Sequence, residues 1–335
     1  MTEEPHSAGR FVGVDIGGTK VAAGLVERNG SVLRRAEFPM IVSGTAAEGV
    51  ACVDRAIRAV LPNTDVTAIG VASPGPLTIP EGVIIDAPNL PCWRNFPLGD
   101  TIRETYGLPV VVDNDANAAG LAESLWGAGA EFDSVFYATV GTGIGTALVW
   151  NRRLYYGRTA IAPEGGHMTI DFSGPQHCEC GKRGCLEGLA SGPSIARRGR
   201  ERVASLNGDC NQNLWGTDPK LITTRLIAAA WRAGDPVATA LLRETADLYA
   251  TWFGNIIDLL EPAAIVVGGG MGPLVAEWFD YIRQQLPSRS IVPGAEGTPL
   301  RLAKFGTDAG VIGAAALCMG KSLSVCQSVR RAELR

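Results

Sequence analysis

Residues 11–20 read FVGVDIGGTK. An apolar run, a carboxylate and two successive glycines describe a buried strand that ends in a tight turn. Glycines let backbone N–H groups approach phosphate oxygens closely, and a threonine hydroxyl adds a donor. Gly17, Gly18, Thr19 and Lys20 are therefore candidates for holding the phosphates of a nucleotide. Asp15 sits where a carboxylate could hold Mg²⁺, directly or through water. The stretch is not a Walker A motif, because no GK[ST] follows at the required spacing. A second strand-and-glycine stretch, VGTGIGT at 140–146, echoes the first and makes Gly141, Thr142 and Gly143 candidates. A third Gly-rich turn, Gly268, Gly269 and Gly270, follows the apolar run at 263–267. One such turn alone is better explained as a tight hairpin. Three in one chain point to a nucleotide triphosphate.

Working outward, strands and helices alternate. VAAGLVE (21–27) and SVLRRAEFP (31–39) flank Asn29-Gly30, a hairpin signal. Residues 47–62 carry apolar residues at helical spacing and stop at Pro62. TAIGVASPGPL (67–77) is a strand running into a Pro-Gly turn, and 108–127 reads as strand, polar turn and helix. Residues 134–157 read as two strands around a glycine turn. Asp235 and Pro236 have the character of an N-cap and a first-turn proline, which predicts a helix to about Leu260. A small-residue helix is expected over 307–320. The alternation specifies an α/β architecture, and 335 residues suggest two domains.

Composition narrows the function. Hydrophobic residues make up 46% and charged residues 19%, as in an ordinary globular protein. A formal charge of −4 argues against a nucleic-acid or anionic-membrane partner. The start, MTEEPHSAGR, lacks the basic and apolar regions of a signal peptide, and no run reaches the roughly eighteen apolar residues of a membrane span. A soluble cytoplasmic protein with reduced thiols is expected.

Two clusters carry chemistry. Asp113-Asn114-Asp115-Ala116-Asn117 lies between a strand and a helix. Phosphoryl transfer needs a base beside the attacking hydroxyl, and a carboxylate serves; the plainer reading makes Asp113 and Asp115 turn and N-cap residues. The other cluster is HCECGKRGCLEG at 177–188, with Cys178, Cys180 and Cys185 crowded into eight positions. Three thiolates and one imidazole form a closed tetrahedral set, the pattern of structural zinc. The imidazole is His167 or His177; adjacency to Cys178 makes His177 sterically awkward. Gly181 and Gly184 permit a tight knuckle, and Lys182 and Arg183 are expected at its solvated tip. Cys52, Cys92, Cys210, Cys318 and Cys326 are scattered and read as ordinary thiols.

The order DIGGT, DNDANAA, VGTGIGT, EGGH, CxCGxxGCLE and VGGG, over about Phe11–Gly320, resembles the ROK family of repressors, open reading frames and sugar kinases. That family lies within the actin-like ATPase and hexokinase superfamily; among its kinases the chain looks most like the bacterial glucokinases. The resemblance implies two α/β domains of ribonuclease H-like topology around a central cleft. We place them at 10–120 and 121–306, with helix 307–320 returning to the first and tails at 1–9 and 321–335. It implies ATP and Mg²⁺, and transfer of the γ-phosphate to the 6-hydroxyl of a hexose, glucose first. Asp115 matches the family's catalytic base and Asn114 a sugar-hydroxyl ligand. Asn89, Glu164, His167 and Glu187 match the residues lining the hexose site, and Gly75 is expected to bring backbone close to the sugar. The resemblance also selects His167 as the fourth zinc ligand, with its other ring nitrogen free for the sugar. Trp93 and Trp126 are expected to pack rather than stack on a ligand, and a homodimer or homotetramer is expected. A kinase for another hexose, such as N-acetylmannosamine or N-acetylglucosamine, fits the same motifs. A sugar-responsive repressor of the family, which carries a helix-turn-helix segment before DIGGT, is not expected, since fourteen residues precede Asp15 here.

Overall fold

A computed structural model of the chain describes residues 9–41, 43–61, 65–87, 90, 92–173, 178–205 and 218–319. In chain order the elements begin with strands β1 (Arg10–Ile16), β2 (Lys20–Glu27) and β3 (Val32–Pro39), helix α1 (Ala46–Val60), and β4 (Ala68–Ser73), β5 (Ile84–Asp86) and β6 (Arg94–Phe96). Next come α2 (Leu98–Tyr106), β7 (Val110–Asn114), α3 (Asp115–Trp126), β8 (Ser134–Val140), β9 (Ile144–Trp150) and β10 (Arg153–Leu154). Helices α4 (Leu186–Ala190), α5 (Gly192–Ser205), α6 (Thr224–Arg232) and α7 (Pro236–Leu260) follow. The last elements are β11 (Ala264–Gly268), α8 (Gly272–Ala276), α9 (Phe279–Gln285), β12 (Leu300–Leu302) and α10 (Ala309–Leu317).

Two five-stranded sheets share one topology. The first has the order β3-β2-β1-β4-β7 and the second β10-β9-β8-β11-β12, so each reads third, second, first, fourth, fifth along the chain. In the first, β1 pairs antiparallel with β2 and parallel with β4. The echo between DIGGT and VGTGIGT thus lies at the same place in two copies of one topology, the turn after the first strand. A third strand, β10, extends the 134–157 hairpin beyond the two expected. Helices α2, α4, α5 and α6 lie outside the expected elements, although Gly107 ends α2 in the left-handed region and Thr223 caps α6.

The described residues gather into two compact units. One runs through Tyr137 and adds Ala147–Pro163 and the residues from Lys304; the other holds Ala138–Thr146 and Glu164–Ala303. The division placed at 120/121 falls inside α3, which is continuous from Asp115 to Trp126. The residues from Lys304 gather with the N-terminal ones. The helix there starts as a short 3₁₀ turn at Gly306–Asp308 and continues as α10. Its small residues have a packing reason. A Cβ on Gly70 of β4 would stand 1.7 Å from the Ala314 carbonyl oxygen, and one on Gly313 would stand 1.8 Å from that of Ala118. Backbone therefore lies against backbone, which only glycine permits.

Cores and caps follow ordinary chemistry. In the first unit, α1 covers the sheet with Val53, Ile57 and Val60, fully buried against Val14, Val71 and Trp93. Trp93 stacks on Phe96 at 5.6 Å, a packing role as expected. Thr45 and Glu48 form a reciprocal capping box at the start of α1. In the second unit Asp235 caps α7 by accepting from the Ala238 N–H at 2.8 Å, with Pro236 in the first turn. Glu123 of α3 is fully buried; its two oxygens accept from the N–H groups of Ala128 and Phe305, each at 2.8 Å. No helix among the described residues is long and apolar enough to cross a membrane.

Candidate active site

Strand β7 ends at Asn114 and α3 starts at the next residue, so the DNDAN stretch is a strand-to-helix junction. The cap is Asn114, not either aspartate. Its Oδ1 accepts from the N–H groups of Ala116 (2.9 Å) and Asn117 (3.3 Å). The Asn114 side chain also hydrogen-bonds the Asp115 carboxylate, and a Cβ on Gly75 would stand 3.7 Å from Asn114 Nδ2. Asp113 is buried and fully engaged: it accepts from Tyr156 Oη at 2.6 Å, Asn117 Nδ2 at 2.9 Å and the Asn114 N–H at 2.6 Å. Burial raises its carboxyl to about 6. Asp115 occupies the first helical position, with Oδ1 accepting from the Ala116 N–H at 2.8 Å. Burial raises its pKa, against the lowering effect of the N–H groups and of Asn114. A group raised in this way binds a proton more readily near neutrality, which suits a general base.

Asp15 lies close enough to Asp115 for the two carboxylates to interact. Burial first, then Asp115, raise Asp15 to about 7, while Lys20 and Arg35 pull it down. Its carboxyl group rests on the start of α10, where a Cβ on Gly310 would stand 2.4 Å from Asp15 Cγ. A divalent cation would relieve this crowding of negative charge, so the pair fits the chemistry of a Mg²⁺ site. Lys20 is engaged on the surface, its Nζ 3.0 Å from Glu37 Oε2, and Glu37 also takes Arg35 Nη2 at 2.8 Å. In the DIGGTK turn the Gly17 N–H donates to the Lys20 carbonyl at 2.8 Å. A phosphate would be met by other groups of the turn.

The second unit holds the other candidates. Glu164 and His167 bracket a 3₁₀ turn, and the Gly165 N–H donates to Thr146 Oγ1 at 2.8 Å. The ligand atoms of His167, Cys178, Cys180 and Cys185 lie within 4.8 Å of one another. Cys178 Sγ is 3.5 Å from His167 Nδ1, and Cys180 Sγ is 3.7 Å from Cys185 Sγ. A tetrahedron with metal–sulfur bonds of about 2.3 Å has edges of about 3.8 Å, so the four donors fit a closed four-coordinate metal site. Burial pushes the Cys178 thiol up to about 12, and a cation would reverse that preference. His167 Nε2 lies 3.9 Å from Glu164 Oε2. Gly181 and Gly184 take φ values of +84° and +69°, the left-handed turns of the knuckle. Lys182 is not merely a solvated tip: its Nζ donates to the His167 carbonyl at 2.8 Å and braces the knuckle. Asn89 and His177 lie outside the described residues.

The two remaining glycine turns meet at the end of β8. The Met271 N–H donates to the Val140 carbonyl at 2.8 Å, and Gly269, at φ +78°, is so close that a Cβ would stand 2.4 Å from the same oxygen. Gly141, Thr142 and Gly143 are thereby grouped with Gly268, Gly269 and Gly270. Gly141 also accepts at its carbonyl from the Gly192 N–H of α5, 2.9 Å away. Glu187, the second residue of α4, accepts at Oε2 from the Ile144 N–H at 2.8 Å. Tyr156, Gly310 and this Glu187 contact went unread in the sequence, since each joins residues at least 43 positions apart.

Known proteins supply an independent line of evidence. The ROK family pattern matches residues 11–321. A glucokinase of Thermotoga maritima is 33% identical over 316 residues, covering 92% of this chain and 96% of its own. An N-acetylmannosamine kinase of Salmonella arizonae is 30% identical, covering 92% and 98%. Among solved structures, a ROK family glucokinase from Streptomyces griseus in complex with glucose and AMPPNP superposes with a TM-score of 0.77 at 34% identity, covering 92% of this chain and 99% of that one. With an actin-like ATPase fold, the ordered motifs and a match across nearly its whole length, the chain belongs to the ROK family.

Proposed function

We propose that the protein transfers the γ-phosphate of ATP to the 6-hydroxyl of glucose, with Asp115 taking the hydroxyl proton. The chain is an ATP-dependent sugar kinase of its family; glucose and the base are our reading. The observation that carries it is Asp115, a carboxylate raised by burial at a strand-to-helix junction, with a second carboxylate, Asp15, beside it. The hydroxyl becomes acidic only as its oxygen bonds to phosphorus, so a carboxylate placed against it accepts the proton as charge develops. Asn114 Nδ2, Glu164, His167 Nε2 and Glu187 orient the sugar, and Gly75 leaves its backbone open to it. The glycine turns hold the phosphates, and Lys20 joins them by exchanging its contact with Glu37. Asp15 would hold Mg²⁺, which supplies positive charge to the transferring phosphoryl group. His167, Cys178, Cys180 and Cys185 would hold zinc, whose place here is structural because all four positions are filled by protein. We place the enzyme in the cytoplasm.

The N-acetylmannosamine kinase at 30% identity supports a second reading with the same chemistry on an acetamido sugar. A coupled assay of ADP release over a panel of hexoses distinguishes the two. Glucose should give the highest kcat/KM; a preference for N-acetylmannosamine would replace the first reading by the second. Loss of turnover in Asp115→Asn with sugar binding retained tests the base.

A further inference from the structure

We propose that Glu187 is a positioning residue for the nucleotide turn, and that through it the Cys₃His centre supports nucleotide binding as well as the sugar loop. The proposal rests on reading Gly141–Gly143 as a nucleotide turn. No residue of that turn belongs to the ligand set, so only the fold can join the two.

The geometry joins them. Cys185, a metal-ligand candidate, is the N-cap residue of α4, and Glu187 follows two residues later on the same short helix. The two oxygens of this carboxylate face different neighbours. Oε2 accepts from the Ile144 N–H at 2.8 Å, where the glycine turn re-enters β9. Oε1 faces the ligand set, 3.6 Å from Cys178 Sγ and 3.9 Å from His167 Nδ1. Gly143 is pressed against the first oxygen: a Cβ there would stand 2.7 Å from Glu187 Oε2. Thr142, Cys178 and Glu187 also line one cavity of about 300 Å³, together with Arg197. A five-residue helix has little stability of its own. What fixes Cys185 therefore fixes Glu187, and Glu187 fixes the Ile144 amide and the turn before it. Outer contacts of this kind orient metal ligands and are oriented by them.

The test is calorimetric titration of AMPPNP with Mg²⁺ in the absence of sugar, at a temperature where every sample is folded by circular dichroism. Glu187→Gln keeps an acceptor for the Ile144 N–H but loses the charge, and should bind the analogue within about twofold of wild type. Glu187→Ala loses the acceptor and should bind about tenfold more weakly, the value of one hydrogen bond to a charged group. Wild type stripped of metal by a chelator should fall by a similar factor. Gly143→Ala should weaken binding in wild type and add little in the Glu187→Ala background, because the clash is then gone. If Glu187→Ala does not fold, Glu187→Asp serves: it keeps the charge, is one methylene too short for Ile144, and should also bind about tenfold more weakly. By linkage, the analogue should raise metal affinity by the factor that metal raises analogue affinity. Wild-type nucleotide affinity in both the chelated protein and Glu187→Ala, or in the chelated protein and Glu187→Asp, would overturn the inference and leave the kinase reading standing. A metal-loaded wild type that binds no nucleotide would sink both.

Discussion

The DNDAN junction and the cysteine knuckle hold their functional side chains by different means. At the junction, regular structure does the holding. Strand β7 delivers Asp113 to a buried position, Asn114 caps α3 with its side chain, and Asp115 is aimed by the first helical turn. Every constraint is a hydrogen bond or a packed atom of the chain itself. In the knuckle, residues 178–185 contain no helix or strand, but turns and bends with isolated bridge residues at Arg183 and Cys185, the latter paired with Thr169. There the constraint is four donors arranged around one point. The first arrangement survives in any folded chain. On the metal reading proposed above, the second depends on what occupies its centre, and function would then be sensitive to metal supply.

The largest effect should come from Asp115→Asn, which removes the proposed base without disturbing the cap. We expect kcat to fall by about 10²–10⁴ with glucose affinity changed less than threefold, measured by coupled assay and calorimetry. Stability should move the other way. Burial raises the Asp115 pKa in the folded state, so its contribution is most favourable below the unfolded value and is lost as pH rises through the folded one. At pH 8 the wild type carries that penalty and the asparagine variant does not, so its melting temperature without ligands should be higher at pH 8 and approach wild type at pH 4. For the same reason the acid limb of the wild-type kcat profile should lie above the ordinary aspartate range.

A second prediction probes the packing behind the junction. Gly313→Ala places a methyl group on the Ala118 carbonyl of α3. Overpacking of this kind costs about 1–3 kcal/mol, or more where backbone must move. Denaturant melts should show the loss; an unchanged midpoint would mean that α3 and α10 are free to separate.

Third, metal removal should affect the knuckle and spare the junction. Wild type should contain about one zinc per chain by elemental analysis, the expectation for one closed four-ligand set. Cys180→Ser should lower metal content and weaken glucose binding, while the near-ultraviolet signal of Trp93, stacked in the first unit, stays unchanged. A metal-free preparation with full activity would remove the distinction drawn between the two regions.

The smaller effects sharpen it. Tyr156→Phe removes one of three donors to the buried Asp113 and should cost about 1–3 kcal/mol of stability, with kcat changed much less than by Asp115→Asn. Lys182→Met removes an exposed brace on the His167 carbonyl and should cost at most about 1 kcal/mol, seen as slightly faster metal loss to a chelator.

Local chemistry determined much of this protein from the sequence alone. The hairpin at Asn29-Gly30, the cap at Asp235, the glycine turns after β1, β8 and β11, and the Cys₃His donor set are all legible because each depends on residues close in the chain. For the fourth donor the sequence leaves His167 and His177 open, and the family resemblance selects His167, eleven residues before Cys178. Tertiary structure decided the rest. It made Asn114 rather than either aspartate the cap of α3, because only the completed junction shows which side chain reaches the free N–H groups. It committed Asp113 to Tyr156, and it set Asp15 against Gly310. It also drew Glu187, assigned by resemblance to the sugar, onto the amide of Ile144. A carboxylate carries the same charge wherever it lies in a sequence. Whether it caps, catalyses or positions depends on which N–H groups, hydroxyls and charges the fold brings within about 3 Å, and those partners come from strands and helices far away in the chain.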